Sequence, residues 1–243
     1  MFALFKKEIS SFLSSLTGYL VIIVFLLVNG LFLWVFPTEF NILDFGYASL
    51  DGLFIIAPFV FLFLVPAVTM RSFAEERKSG TIETLLTKPL SDMQIIWSKY
   101  LAALALVLFS LLPTLVYYIT VYRLGLPPGN LDSGGILGAY IGLFLLGASF
   151  AAIGIFGSSI TDNQILSFVL TVLLSGFIYA GFEFIYSLSL FGPVDLFIKQ
   201  LGIAAHYSSI SRGVIDTRDV VYFGSLIALF LALTKLVLAS RKW

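Results

Sequence analysis

Six stretches of this chain each run for about twenty residues with almost no charge, and few features restrict a fold more. A helix crossing a hydrocarbon core of about 30 Å needs about 20 mostly apolar residues. Backbone exposed to lipid must also satisfy its own hydrogen bonds. The runs occupy residues 17–36, 52–70, 95–122, 135–160, 165–187 and 220–239. The first contains Val21-Ile22-Ile23-Val24-Phe25-Leu26-Leu27-Val28, which alone favours insertion by about 2–5 kcal/mol on biological insertion scales. Strands of a porin-like barrel alternate polar and apolar residues, and these runs do not. Composition agrees: 59% of the 243 residues are hydrophobic and 12% are charged, against about 45–50% and about 25% in soluble domains. The expected fold is an all-α polytopic membrane protein with six transmembrane helices.

The charges that remain set an orientation. Six spans place both termini and the second and fourth connections on one side. That side receives Lys6, Lys7, Arg71, Arg77, Lys78, Lys88, Lys99, Lys235, Arg241 and Lys242, whereas the other receives Arg123, Lys199, Arg212 and Arg218. Ten against four places the termini in the cytoplasm by the positive-inside rule. Tyr19, Trp34, Trp97, Tyr100, Tyr117, Tyr118, Tyr122, Tyr222 and Trp243 fall near span ends, as interfacial aromatic belts do. Before the first span, Phe2, Phe5, Ile9, Phe12 and Leu16 recur at spacings of three and four among lysines and serines. This predicts an amphipathic helix lying on the cytoplasmic interface, not a cleavable signal. Formal net charge is zero and there is no cysteine. The chain therefore has no global field for nucleic acid and no thiolate for a metal, a disulfide or nucleophilic catalysis.

Three connections read as plain links. In residues 36–51, Asp51 is an expected cap for the second span; Leu126-Pro127-Pro128-Gly129-Asn130 is a turn; and Thr161 or Asp162 is an expected cap for the fifth span. The cytoplasmic segment after the second span is richer. Glu75, Glu76, Arg77 and Lys78 lead to Gly80 as a hinge, and Thr81-Ile82-Glu83-Thr84-Leu85-Leu86 follows. Ile82, Leu85 and Leu86 share one helical face. Pro89 ends this short helix, and Ser91 with Gln94 forms a capping box for the third span. The apolar stripe suits either a groove on a partner protein or the lipid and spans beside it.

On the external side, Asp195 to Gly202 predicts a helix about 12 Å long, too short to cross, with Gly202 as its C-cap. His206 is the only histidine, without carboxylate or cysteine neighbours at metal-ligand spacing. Glu183, near the outer end of the fifth span, is the one carboxylate expected inside a span and suits water, a partner or a substrate. Lys235 reaches the inner interface by snorkelling. Gly134, Gly138 and Gly142, then Gly147 with Ala151 and Gly154 with Ser158, give the fourth span a small-residue face for close helix packing. No phosphate-binding loop, zinc-protease motif or nucleophile elbow is present. The sequence thus predicts no catalytic residues, no metal site and no cofactor, with energy supplied from outside the chain.

One segment is specific enough to carry a resemblance: Glu75-Glu76-Arg77-Lys78-Ser79-Gly80-Thr81-Ile82-Glu83-Thr84-Leu85-Leu86-Thr87-Lys88-Pro89-Leu90-Ser91. It resembles the coupling motif of ABC-2 type exporter permeases, and the order of elements resembles that family over the whole chain. Residues 211–222 resemble the segment entering the last span in the bacterial branch of the family. Within that branch, Phe12-Leu13-Ser14-Ser15-Leu16-Thr17-Gly18-Tyr19 and residues 29–37 look closest to the gliding-motility-associated permeases, with the nitrous-oxide-reductase maturation permease a near relative. The resemblance implies a single permease domain. It comprises an elbow helix (1–16), spans 1–2 (17–70), a coupling segment (71–94), spans 3–5 (95–190), an external re-entrant segment (191–218), and span 6 with the tail (219–243).

The resemblance also implies a bacterial inner-membrane location and a separate cytoplasmic ATPase, in two copies, which holds the ATP and magnesium. The second permease position would be a copy of this chain or another membrane subunit that carries a large extracytoplasmic part. Residues 81–88 would insert in a groove of the ATPase, with Glu75, Glu76, Arg77, Lys78 and Glu83 setting docking and Ile82, Leu85 and Leu86 its apolar anchor. Glu183, His206 and Arg212 are candidates for an external partner or pathway. Two rival functions stay open on the residues alone: a self-powered secondary transporter or channel, and a membrane force transmitter that moves no cargo.

Overall fold

In the computed structural model, residues 1–44, 46–86, 89–190 and 192–240 are described, without the side chains of Thr84 and Leu86. The expected residues Lys88, Arg241, Lys242 and Trp243 lie outside them. The described residues form helices and connecting turns, with no strands, and six helices are long and apolar enough to span a membrane.

The amphipathic start is helix α1 (Phe2–Ser14). The chain turns at Ser15, whose hydroxyl accepts from the Gly18 amide and caps α2 (Leu16–Trp34), the first span. The second span, α3 (Asp51–Thr69), contains Pro58 and Pro66. Its N-cap is Leu50, so Asp51 is the first helical residue and not the expected cap; the Ser49 hydroxyl accepts its amide. Two short helices follow, α4 (Ala74–Lys78) and α5 (Thr81–Leu86). The third span is broken in two. Helix α6 (Asp92–Leu111) starts at the Ser91–Gln94 capping box and passes through a tight turn at Leu112–Thr114 into α7 (Leu115–Leu124). Pro113 supplies no amide hydrogen to the helical ladder, which accounts for the break.

Helix α8 (Ser133–Ile160) is the fourth span and the hub of the bundle: 72% of its most apolar stretch is buried, against 17% and 22% for the fifth and sixth spans. Its small residues make this possible. A Cβ at Gly138 would lie 2.9 Å from the Gly213 backbone, one at Gly142 2.6 Å from Ile210, and one at Gly147 2.6 Å from Val107. At Gly154 it would overlap the hydroxyl of Thr69. Gly213 itself has φ +86°, a left-handed conformation open to glycine at little cost.

The fifth span consists of α9 (Gln164–Gly176), a π-helical turn at Phe177–Gly181, and α10 (Phe182–Ser187). Its cap is Asn163, which accepts from the Ile165 and Leu166 amides; Thr161, expected there, instead accepts from the Asn163 amide. Asn163 holds this place instead of Thr161 or Asp162 because the cap must precede the first helical residue, Gln164, directly. In the external segment, the helix expected from Asp195 is α11 (Asp195–Gln200), and a second short helix, α12 (Ile203–Ile210), follows it. Gly202 is the N-cap of α12 and Leu201 the C-cap of α11, so Gly202 begins a helix instead of ending one. Asp216 then caps α13 (Thr217–Ala239), the sixth span.

Candidate functional site

At the end of the bundle where α1, α4 and the start of α6 meet, charged residues from distant parts of the chain converge. Lys99 of α6 is buried, with its side chain 1% exposed. Its ammonium donates to Glu76 of α4 at 2.9 Å and to Glu8 of α1 at 3.1 Å. The ammonium also lies 5.2 Å from the centre of the Phe73 ring, within cation–π range. A buried ion costs several kcal/mol of desolvation unless its hydrogen bonds are met; here two carboxylates and an aromatic face meet them. A cavity of about 210 Å³ opens beside this cluster, with Lys7, Arg71, Glu75 and Thr17 among its walls. Arg71 also reaches the Thr17 hydroxyl at 3.4 Å.

A second anchor holds the turn between α3 and α4. The Ser158 hydroxyl, at the far end of α8, accepts from the Phe73 and Ala74 amides at 2.9 and 3.1 Å and donates to the Met70 carbonyl at 3.0 Å. Capping of a helix start normally falls to a local side chain; α4 has no local side-chain cap, and a residue some eighty positions later does the work. Ser79, at its other end, accepts or donates to Thr81 and bonds the Glu75 carbonyl.

Gly80 has φ +71°, so the chain reverses into α5 as the expected hinge would. Lys78, Ser79, Gly80, Thr81 and Glu83 are exposed, as are Glu75 and Pro89. Arg77 and Glu76 are partly buried. The apolar stripe faces the other way. Leu85 is 7% exposed and belongs to the chain's own core, and Ile82 packs against that core. In the chain alone these two residues therefore take the second of the two settings open to the stripe, against the adjacent spans, where an apolar face gains more than by remaining bare. The side chain of Leu86 and all of Lys88 lie outside the described residues.

At the opposite end the three external candidates do not form one site. Glu183 lies 3.8 Å from Lys199, with both side chains substantially exposed. The Arg212 Nε donates to the Ser208 carbonyl at 2.9 Å. His206 is better tied than its sequence context suggested. Its Nδ1 is 2.7 Å from Asp219, its Nε2 is 2.8 Å from the Gln200 carbonyl, and its ring stacks on Tyr222 at 3.9 Å. Asp219 is the carboxylate partner that linear spacing hid; the turn between α12 and α13 brings it close. Next to it, Tyr207 donates to the Phe54 carbonyl at 2.7 Å, and burial pushes its hydroxyl pKa well above the usual tyrosine value. No group of three or more metal-ligating side chains is found among the described residues.

Six apolar spans around a small-residue hub, entered by an amphipathic helix, define a multi-pass helical membrane protein. Residues 36–234 match the family described as ABC-2 family transporter protein, and the chain belongs to that family. It is the membrane permease of an ABC transporter, a class that works with an ATPase partner. No curated protein matches the chain in a sequence comparison.

Proposed function

We propose that this permease takes up work from two copies of a separate cytoplasmic ATPase through the exposed edge of α4–α5, and passes it into α3 and α6. The observation that carries this reading is the construction of that edge. Lys78, Ser79, Gly80, Thr81 and Glu83 are open to a partner, while Ser158, Lys99 and Leu85 tie the same segment into the bundle. A surface that is free outside and bound inside transmits force, whereas a loop without internal ties would absorb it. Charge sets the docking contact, and the stripe of Ile82 and Leu85 fixes the segment to the permease.

The same reading puts the termini in the cytoplasm of a bacterial cell and the chain in its inner membrane, as the ten-to-four distribution of basic residues favours. The chain supplies no catalytic groups and holds no cofactor; ATP and magnesium bind the partner. Its work is export or mechanical work, in gliding motility by the resemblance of residues 12–19 and 29–37. A second permease, either a copy of this chain or a subunit with a large extracytoplasmic part, completes the pore or the mechanical frame. The external segment that holds α11 and α12 faces that part.

Co-purification tests the docking. The ATPase should follow the wild-type permease from mild detergent and be lost from a variant carrying Lys78→Glu and Glu83→Arg, with thermal unfolding of the permease unchanged. Undiminished recovery of the ATPase with that variant would place docking elsewhere. Leu85→Asp is a poor probe, because a charge there enters the permease core.

A further inference from the structure

Lys99 is the one buried basic side chain among the described residues. Its two carboxylate partners come from the amphipathic helix α1 and from α4, while Lys99 itself stands on the third span. Stability alone gives little reason for a charge there, since a well-packed apolar side chain commonly stabilises such a position as well or better. A charged trio does something an apolar contact does not. An ammonium donates along fixed directions, so it sets the relative positions of the groups it binds. Losing either carboxylate also leaves buried charge poorly compensated. Glu8 and Glu76 are therefore held to one point and move with it.

The geometry points to Lys99 as a positioning residue that makes α1, α4 and α6 move as one body. This rests on the reading of α4–α5 as the ATPase dock, and adds the amphipathic helix as a second moving part. Force applied at α4 reaches α1 through Glu76, Lys99 and Glu8, and reaches the membrane plane through the third span. The neighbouring cavity, with Lys7, Arg71 and Glu75 in its walls, gives the cluster room on one side. A second contact runs parallel to it: the Ser98 hydroxyl donates to the Met1 carbonyl at 3.2 Å.

The test is amide hydrogen exchange on the permease–ATPase complex in lipid nanodiscs, with and without a non-hydrolysable ATP analogue. In the wild type, the analogue should change protection in residues 74–86 and in α1 together. In Lys99→Met, the change in 74–86 should persist while the change in α1 is lost. Lys99→Arg, which keeps a cation, should restore it at least in part. Glu8→Gln, a milder change at a partly exposed side chain, should also silence α1, and carries the test if Lys99→Met fails to fold. An α1 response that survives in Lys99→Met or Glu8→Gln overturns the inference, as does a wild-type complex in which only 74–86 responds. Silence in both segments of the wild type removes the docking reading itself, and this inference with it.

Discussion

Replacing Ser158 by alanine removes a single hydroxyl from a fully buried position and leaves volume almost unchanged. The Phe73 and Ala74 amides lose their acceptor, and the Met70 carbonyl loses a donor. A buried donor left unsatisfied costs about 1–3 kcal/mol, so the two amides together should cost about 2–6 kcal/mol. The loss is local, because the rest of α8 keeps its packing against α3. Hydrogen-exchange mass spectrometry in nanodiscs should therefore show residues 72–75 exchanging at least about 30-fold faster, since 1.4 kcal/mol is tenfold. Ser159→Ala is the internal control. Ser159 is equally buried, but its hydroxyl bonds only the Phe156 carbonyl of its own helix, and exchange at 72–75 should not change. If Ser158→Ala leaves 72–75 as protected as the wild type, the turn is held by something other than this hydroxyl. Ser158 would then not be one of the ties that hold the α4–α5 segment to the bundle.

Other consequences concern packing and the external end. Gly154→Ala forces a methyl against Thr69 and should lower stability by about 1–3 kcal/mol; a thermal scan in detergent reads this as a lower midpoint, and an unchanged midpoint would mean that α3 and α8 are less closely packed. His206→Ala should free α12 from α13 and raise protease cleavage in residues 200–216, with the six spans intact; unaltered cleavage would show that the His206–Asp219 contact holds nothing. Tyr207 bears on alkaline stability. Its hydroxyl pKa is raised in the fold, so the unfolded chain loses this proton first, near pH 10, and stability falls as pH rises from there towards the folded pKa. Tyr207→Phe should lose the hydrogen bond to the Phe54 carbonyl at neutral pH, and its unfolding midpoint should fall less steeply above about pH 10 than the wild type's; parallel slopes would contradict the burial argument.

The spans were legible because insertion depends on the mean apolarity of about twenty residues, a property of contiguous sequence. The Ser91–Gln94 box was legible for a similar reason: its partners are three residues apart. Lys99 was counted in the sequence only as one of the basic residues that set orientation, because Glu8, Glu76 and Lys99 are brought together by tertiary packing alone. Ser158 looked like one more small residue on a packing face. The stripe of Ile82 and Leu85 had a clear helical period but no direction, since lipid, a neighbouring span and a partner groove all favour the same three apolar positions. Asp219 lies thirteen positions from His206, across a turn that no local pattern predicts. The caps at Asn163 and Leu50 differ from expectation by one or two residues, where several polar side chains compete for the same exposed amides.

Site-specific photo-crosslinking addresses the docking edge most directly. A crosslinking residue placed at Glu83, on exposed α5, should capture a nucleotide-hydrolysing protein in intact cells, while one at Asp216, on the opposite end of the bundle, should not. Capture of that protein from position 216 with none from position 83 would contradict a dock on α4–α5.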